Sequence, residues 1–325
     1  MRALRSDILR CIGDTSLVPL RRIAAPNGAR VLIKLETENP TGSMKDRMAL
    51  AMIESAESDG RLPPGGPVVE YTTGNTGMAL SLVCTVKGHP LHIVSSDAFT
   101  PEKLDHMRIL GATLHVLRSD GGRQTEQLTR AMIETARAIR EETSAYWTNQ
   151  LSNEDQIAGY RGMGEEIWSQ AGGRVDAFVQ MVGSAGSLRG TADSLRRHNE
   201  RISVVAVEPA ESAVLSGGPS GAHRIDGVGA GFVVPLWREG VADRIERVST
   251  DEAMEMALRL AREEGIFAGT STGGNVVAAL RVAEQMESKA TVVTVACDTG
   301  MKYLKTYGAR LGGAEAGAAT SLTLR

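Results

Sequence analysis

The stretch Val68-Val69-Glu70-Tyr71-Thr72-Thr73-Gly74-Asn75-Thr76-Gly77 passes from a β-branched run into a polar turn and then into an apolar segment. We predict a strand over Val68 to Tyr71, a turn over residues 72–77 and a helix beginning near Met78. Such a turn directs backbone N–H groups, hydroxyls and one amide at a single small volume. It is suited to bind a carboxylate or a phosphate, although the same residues also serve as ordinary helix caps.

Short β-branched runs alternate with segments of helical periodicity along the rest of the chain. Leu128, Met132, Ala136 and Ile139, for example, recur at helical spacing. This alternation is typical of βα units on a mostly parallel sheet, so we predict an α/β fold. The predicted strands are Val31 to Leu35, Val68 to Tyr71, Leu91 to Val94, Thr113 to Leu117, Ala177 to Val182, Ser203 to Val207 and Thr291 to Ala296.

Length and composition narrow the possible functions. The 325 residues suggest two domains, and 36 basic against 39 acidic residues, without a basic cluster that contains aromatics, make nucleic acid an unexpected partner. The chain has neither a signal-peptide pattern at its start nor an apolar run that could span a membrane, so we expect a cytoplasmic protein. Its three widely spaced cysteines fit a reducing compartment, and its six histidines lack metal-ligand spacing, so no metal is expected.

Two further polar turns resemble the first. Gly183-Ser184-Ala185-Gly186-Ser187 follows a predicted strand and precedes a helix predicted from about Leu188. Its glycines let the backbone approach an anion and its serines add hydroxyl donors, which favours a phosphomonoester, although a serine-capped glycine turn has the same composition. Gly269-Thr270-Ser271-Thr272-Gly273-Gly274-Asn275 precedes a helix predicted near Val276. Ligands of open α/β sheets bind at the carboxyl ends of strands, where all three turns are expected to lie.

Lys45 lies in Asn39-Pro40-Thr41-Gly42-Ser43-Met44-Lys45-Asp46-Arg47, a polar turn that leads directly into a predicted helix. An ammonium in the first helical turn opposes the positive end of the helix dipole, and partial burial would lower its pKa further. The resulting neutral amine can form a Schiff base with a carbonyl. The alternative is a surface lysine behind a capping box formed by Ser43 and Asp46.

A reactive lysine, a phosphate-binding turn and a hydroxyl-bearing turn together predict a site for pyridoxal 5'-phosphate, because its aldehyde, phosphate and ring nitrogen need these partners. The motifs that carry this prediction resemble those of the cysteine synthase (O-acetylserine sulfhydrylase) family of fold type II pyridoxal-phosphate enzymes. The resemblance covers roughly residues 10 to 308. It rests on Ile12-Gly13-Asp14-Thr15, the NPTGSxKDR block around Lys45, the substrate loop 72–77, the glycine-rich loop 183–187 and the serine turn 269–275, which occur in the family's order.

The resemblance implies a role for each of these positions. Lys45 would form the internal aldimine, Asn75 would bind the 3'-oxygen of the cofactor, and Ser271 would face its pyridine nitrogen. The residues implied to hold the cofactor phosphate are Gly183, Ser184, Ala185, Gly186 and Ser187. The residues implied to hold the substrate are Thr72, Thr73, Thr76 and Gln150 at its carboxylate, and Gly227 and Gly229 on the leaving-group side.

The implied reaction is β-replacement on an O-activated L-serine, with O-acetyl-L-serine as the expected donor, through an α-aminoacrylate. Lys45 would be the base that removes the α-proton, and the neutral hydroxyl of Ser271 would leave the pyridine nitrogen unprotonated. With sulfide as the nucleophile the product is L-cysteine. The chain would then be a cysteine synthase-like, pyridoxal-phosphate dependent transferase.

Several stretches differ from the family's usual sequence. The phosphate loop replaces Gly-Thr-Gly-Gly-Thr, residues 153–166 lack a usual histidine and a Thr-Thr-Gly-Pro stretch, and residues 298–303 replace Asp-Ser-Gly-Glu-Arg-Tyr. Other substrates therefore stay open: O-phosphoserine as donor, or homocysteine (as in cystathionine β-synthases), an amine (as in diaminopropionate synthases) or a hydroxyurea-like compound as nucleophile. A separate hypothesis is a non-catalytic protein that binds serine acetyltransferase.

The resemblance also implies an architecture. It consists of two open, mostly parallel twisted sheets with helices on both faces. Residues 45–148 would form a smaller mobile α/β domain, and residues 1–44 together with 149–325 a larger one that holds the cofactor phosphate. The family suggests a homodimer and, as a partner protein, serine acetyltransferase.

Overall fold

The computed structural model describes residues 4–25, 28–121 and 125–311. The strands within these ranges are β1 (Leu17–Pro19), β2 (Arg30–Leu35), β3 (Val68–Tyr71), β4 (Leu91–Ser96), β5 (Thr113–Leu117), β6 (Tyr146–Trp147), β7 (Ala177–Met181), β8 (Ser203–Pro209), β9 (Arg244–Val248) and β10 (Thr291–Ala296). One sheet has the order β1-β2-β10-β7-β8-β9 and the other the order β5-β4-β3-β6. In the described ranges only the β1/β2 pair is antiparallel, so the predicted α/β class is confirmed.

All seven predicted strands are present, with ends shifted by at most two residues. The sequence analysis missed β1, β6 and β9. The first two are only three and two residues long, and β9 carries charged residues among its apolar ones because it lies at an edge of its sheet. Such short or polar segments acquire strand geometry from their neighbours and have little hydrophobic pattern of their own.

The helices are α1 (Lys45–Ser58), α2 (Asn75–Lys87), α3 (Pro101–Ile109), α4 (Glu126–Thr143), α5 (Asp155–Gln170), α6 (Gly186–His198), α7 (Thr250–Arg259) and α8 (Thr270–Glu284), and residues 304–311 are also helical. Three residues of the predicted stripe of α4, Met132, Ala136 and Ile139, are buried in one cluster with Val69 and Val94 of the smaller sheet, and Leu128 is buried as well. No helix of the described ranges is both long and apolar enough to cross a membrane.

Helices cover both faces of the larger sheet. Phe178 of β7 belongs to one buried cluster with Tyr160 of α5 and Leu188 of α6, whereas the next residue, Val179, belongs to a second cluster with Val276 of α8. Alternate residues of a strand point to opposite faces, so β7 is covered on both sides.

Three helices begin earlier than the sequence predicted. Helix α2 begins at Asn75 instead of near Met78, α6 at Gly186 instead of about Leu188, and α8 at Thr270 instead of near Val276. Polar residues and glycine are tolerated in the first helical turn because its N–H groups have no partner within the helix. Much of each polar turn therefore forms the amino-terminal end of a helix. Two of these helices, α2 and α6, come directly after the strands β3 and β7.

Candidate active site

Lys45 is the first residue of α1 and is partly buried. Its backbone N–H donates to Ser43 Oγ at 3.2 Å, and the N–H of Met44 donates to the carbonyl of Cys297 at 2.9 Å. Burial lowers the pKa of the Lys45 ammonium, while Cys297 and Asp298 act in the opposite direction. A lowered pKa increases the fraction of neutral amine, which is the nucleophilic form.

The alternative of a Ser43 and Asp46 capping box is wrong. The Asp46 carboxylate accepts from the backbone N–H of Thr41 at 2.8 Å and from its hydroxyl, and no side chain caps α1. Arg47 forms ion pairs with Glu36 and Glu166, each with a contact of 2.7 Å. These contacts hold the start of α1 in place, because the side chains of Arg47, Asp46 and Glu36 are all buried and all form hydrogen bonds.

The turn at residues 72–77 lies next to Gln150. The Thr76 hydroxyl donates to Gln150 Oε1 at 2.6 Å, so these two predicted substrate residues are in direct contact. Thr72 is buried and its hydroxyl accepts from the N–H of Gly74 at 3.2 Å, whereas Thr73 is only partly buried. The hydroxyl and amide groups of Thr76 and Gln150 thus form one polar cluster at the amino-terminal end of α2.

Glu70 supports this cluster and was missed by the sequence analysis. Its fully buried carboxylate accepts from the Thr148 hydroxyl at 2.6 Å, from the N–H of Gln150 at 3.0 Å and from the N–H of Tyr71 at 2.9 Å. Burial raises the pKa of Glu70 to about 7, although these hydrogen bonds act to lower it. A glutamate inside the otherwise apolar run Val68 to Tyr71 was the available signal.

Asn75 is held by two residues that follow β10. Its Nδ2 donates to Asp298 Oδ2 at 2.7 Å, and its Oδ1 accepts from the Lys302 ammonium at 2.7 Å. The hydroxyl of Tyr303 also donates to Asp298 Oδ2, at 2.6 Å. The segment after β10 therefore contacts the amino-terminal end of α2 and also lies next to Lys45.

The turn at residues 183–187 is shaped by close packing. Ala185 has φ +70° and precedes α6, and Ser187 is buried in the first turn of that helix. A Cβ on Gly183 would come within 2.4 Å of the carbonyl oxygen of Gly227. The N–H of Gly186, at the start of α6, donates to Ser184 Oγ at 3.3 Å. The N–H groups that follow it in the first turn have no acceptor within the helix, so they are suited to bind an anion, as expected of a phosphate-binding turn.

Gln156 of α5 joins this turn to the substrate residues. Its Oε1 accepts from the Ser184 hydroxyl at 2.6 Å, and its Nε2 donates to the carbonyls of Gln150 at 2.5 Å and Asn153 at 2.8 Å. The side chain is fully buried. Its sequence context gave no signal for the contact with Ser184, because these two residues are 28 positions apart along the chain.

Gly227 and Gly229 belong to a loop that packs directly on the phosphate turn. Both have positive φ, +76° and +61°, which glycine adopts without strain. The N–H of Gly229 donates to the carbonyl of Val182 at 3.1 Å. Just before this loop, Asp226 forms an ion pair of 2.8 Å with Lys103 of α3.

Ser271 lies buried in the first turn of α8, close to Cys297. Burial raises the pKa of the Cys297 thiol to about 12. Asn275 of the same helix accepts from the N–H of Met181 at 2.6 Å and donates to the carbonyl of Val295 at 2.7 Å. These bonds fix α8 to the carboxyl ends of β7 and β10.

The described residues thus bring the predicted positions close together. Asp298 binds Asn75 and forms a backbone bridge with Ser43, near Lys45, and Cys297 lies near Lys45 and Ser271. Gln156 joins the substrate residues to the phosphate turn. The arrangement fits pyridoxal 5'-phosphate, since it offers a partly buried amine with a lowered pKa, a helix amino terminus with glycines, and a neutral hydroxyl. Among the described residues, no group of three or more His, Cys, Asp or Glu is placed to hold a metal ion.

Comparisons with known proteins agree with this description. The sequence matches the profile of the pyridoxal-phosphate dependent enzyme family over residues 8–298. It is 38% identical over 302 residues to a cysteine synthase of Staphylococcus aureus, covering 92% of this chain and 96% of that protein. The structure is similar to that of O-acetyl serine sulfhydrylase isoform 3 from Entamoeba histolytica, with 36% identity, a TM-score of 0.87, and coverage of 94% of this chain and 91% of that one.

A second structural relative is an O-ureido-L-serine synthase, with 34% identity, a TM-score of 0.87, and coverage of 93% of this chain and 94% of that one. The chain belongs to the family of pyridoxal-phosphate dependent enzymes. Its relatives among cysteine synthases and O-acetylserine sulfhydrylases confirm the predicted family, fold type and cofactor.

Proposed function

We propose that this enzyme catalyses β-replacement on an O-activated L-serine, with O-acetyl-L-serine as donor and sulfide as nucleophile, and forms L-cysteine. The main support is the position of Lys45 at the start of α1, directly after Ser43 and Met44, whose backbones contact Asp298 and Cys297, and Asp298 in turn binds Asn75 of the substrate turn. The identity of 38% to a cysteine synthase over most of both chains supports the same reaction.

Each cluster of the site has a part in this proposal. Pyridoxal 5'-phosphate, when bound, would withdraw electrons from the α-carbon of the amino acid. The Lys45 amine would hold the cofactor and then accept the α-proton of the substrate. Thr72, Thr73, Thr76 and Gln150 would orient the substrate carboxylate, and the Thr76–Gln150 contact gives these residues a common geometry.

The remaining residues would hold the cofactor and exclude water. Residues 183–187 would bind its phosphate through backbone N–H groups and serine hydroxyls, and Asn75 would donate to its 3'-oxygen. Ser271 offers the pyridine nitrogen a neutral hydroxyl, which does not favour protonation of that nitrogen. Gly227 and Gly229 lie against the phosphate turn, where they would line the leaving-group side.

A second candidate is the same replacement with a different nucleophile. The segment 298–303 differs from the common family sequence, and its Lys302 directly contacts Asn75. The similarity to an O-ureido-L-serine synthase supports a hydroxyurea-like nucleophile as the first one to test after sulfide. Homocysteine or an amine as nucleophile, and O-phosphoserine as donor, would bind to the same residues, so these compounds belong in the same assay.

The test is a steady-state assay of purified holoenzyme against O-acetyl-L-serine and O-phospho-L-serine, each with sulfide, homocysteine, hydroxyurea and a diamine. We expect the highest kcat/KM for O-acetyl-L-serine with sulfide. Lys45→Ala should abolish turnover and retain the fold, whereas near wild-type turnover of this variant would contradict the role of Lys45. Tight binding of a serine acetyltransferase tail, with no turnover of any donor, would instead support the non-catalytic alternative.

We further propose a homodimer that works in the cytoplasm. All three cysteines, Cys11, Cys84 and Cys297, are free, which fits a reducing compartment. Light scattering of the purified protein should give twice the chain mass of 34.5 kDa. Addition of serine acetyltransferase in the same experiment tests whether it is a partner.

A further inference from the structure

We infer that Lys302 is a positioning residue that fixes, together with Asp298, the orientation of the Asn75 side-chain amide and leaves one amide N–H for a cofactor oxygen. The inference rests on the proposed function, in which Asn75 contacts the cofactor. It assigns a role to a lysine in one of the segments where this chain differs from the usual family sequence.

The two ends of a side-chain amide are similar in size but opposite in hydrogen bonding. Nδ2 carries two N–H donors, and Oδ1 only accepts. The Lys302 ammonium can only donate, and its contact of 2.7 Å selects the Asn75 orientation with Oδ1 toward Lys302. A flipped amide would place its N–H groups against the ammonium.

Asp298 selects the same orientation from the other side. Its Oδ2 accepts from Asn75 Nδ2 at 2.7 Å and from the Tyr303 hydroxyl at 2.6 Å. One of the two Asn75 N–H groups is used in this contact, so the other is left for a ligand. In the absence of Lys302, the amide oxygen would lose its partner and the amide could rotate.

The charge of Lys302 is maintained near neutral pH. Burial lowers its pKa to about 8, Asp298 and Asp46 oppose this effect, and Lys103 and Lys45 add to it. At pH 7 the side chain is therefore mostly an ammonium. A hydrogen bond from an ammonium is stronger than one from a neutral donor, so the amide is held firmly.

Lys302 also connects two parts of the fold. It lies in the 3-10 helix Gly300–Tyr303, after β10 of the larger sheet, whereas Asn75 begins α2, after β3 of the smaller sheet. The Lys302–Asn75 contact therefore orients the amide only when the two sheets are correctly placed.

The experiment measures the dissociation constant of pyridoxal 5'-phosphate and the visible absorption maximum of the holoenzyme. We expect Lys302→Met to weaken cofactor binding by about tenfold or more and to shift the absorption maximum, because a charged hydrogen bond is lost. Lys302→Arg should restore most of the affinity. Lys305→Met is the matched control, since Lys305 is exposed and forms an ion pair with the exposed Glu102, and it should behave as wild type.

A double-mutant comparison separates positioning from general stabilisation. In an Asn75→Ala background no amide is left to orient, so Lys302→Met should then change the dissociation constant less than about twofold. If Lys302→Met changes the dissociation constant equally in both backgrounds, or if this variant has wild-type affinity and spectrum, the inference is wrong. The proposed function would not be affected by either result. A wild-type protein that binds no pyridoxal phosphate would overturn the proposed function and this inference together.

Discussion

At the residue scale, the site depends on buried polar groups whose hydrogen bonds are nearly all satisfied by neighbouring residues. Glu70 is the clearest case, because its carboxylate accepts from Tyr71, Thr148 and Gln150 without any exposed surface. Such a group is costly to alter, since a buried donor left without an acceptor loses its hydration without compensation. Its contact with the N–H of Gln150 also places a substrate residue.

We predict that Glu70→Gln lowers the free energy of unfolding at pH 5 by about 1–3 kcal/mol and raises KM for the donor more than it lowers kcat. The amide would present N–H groups to the donors that now face a carboxylate. Chemical denaturation and steady-state kinetics measure the two effects. Glu134→Gln, at an exposed position of α4, is the control, and equal behaviour of the two variants would refute the role of Glu70.

The raised pKa of Glu70 predicts a pH dependence of stability. The native state binds the Glu70 proton more tightly than the unfolded chain, because the pKa rises from 4.5 to about 7. The resulting stabilisation is complete below pH 4.5 and is lost as the pH rises through 7, a change on the order of 3 kcal/mol. Wild type should therefore lose stability relative to Glu70→Gln between about pH 5 and pH 8, as measured by denaturation at each pH. A difference in the free energy of unfolding between the two proteins that stays constant from pH 5 to pH 8 would contradict the raised pKa of Glu70.

At the element scale, the cofactor and substrate turns are the amino-terminal ends of α2, α6 and α8. The sequence predicted that the turns before α2 and α6 follow strands and that all three turns precede helices, because glycine, serine, threonine and asparagine have distinctive roles there. It placed the helix starts too late, since hydrophobic periodicity begins only after the first polar turn. Contacts such as Gln156 with Ser184 could not be predicted, because they join residues 28 positions apart through tertiary packing.

Gly183 should tolerate no larger residue. We predict that Gly183→Ala weakens pyridoxal-phosphate binding by at least about tenfold, because its Cβ would lie 2.4 Å from the Gly227 carbonyl oxygen and force the two loops apart. Gly308→Ala is the matched control, since nothing lies within 4 Å of the added Cβ. A fluorescence titration measures the dissociation constant of the cofactor for both variants. Similar affinities of the two variants would show that the turn can relax.

Gln156 should couple the phosphate turn to the substrate turn. We predict that Gln156→Leu weakens cofactor binding and also raises KM for the donor, because one side chain serves Ser184 and the Gln150 carbonyl. Gln127→Leu, on the exposed side of α4, is the control. A change in only the dissociation constant of the cofactor, or in only the KM for the donor, would indicate that the two turns are held independently.

At the scale of the whole molecule, the strands of the smaller sheet all come from residues 68–147. We propose that residues 45–148 move as a smaller domain relative to residues 1–44 and 149–325. Contacts that cross the proposed boundary include Lys103 with Asp226 at 2.8 Å and Lys302 with Asn75 at 2.7 Å. They lie where a cleft between the two parts would close.

Hydrogen exchange provides the test of this movement. Binding of L-serine to the holoenzyme should slow amide exchange in α2 and α3 and in the loop 226–231, because closure brings these segments together. Exchange in α7, which packs on α8 away from the smaller sheet, should stay the same. Uniform protection of the whole chain would argue for stabilisation without domain movement.

The buried Cys297 has a consequence for an enzyme that handles sulfide and thiol products. With its pKa raised to about 12, this thiol stays protonated at physiological pH even though it lies beside Ser271 and Lys45. A protonated thiol is a poor nucleophile, so it does not compete with the incoming sulfur compound for an electrophilic centre. The same protonation and burial disfavour persulfide formation, alkylation and oxidation at Cys297.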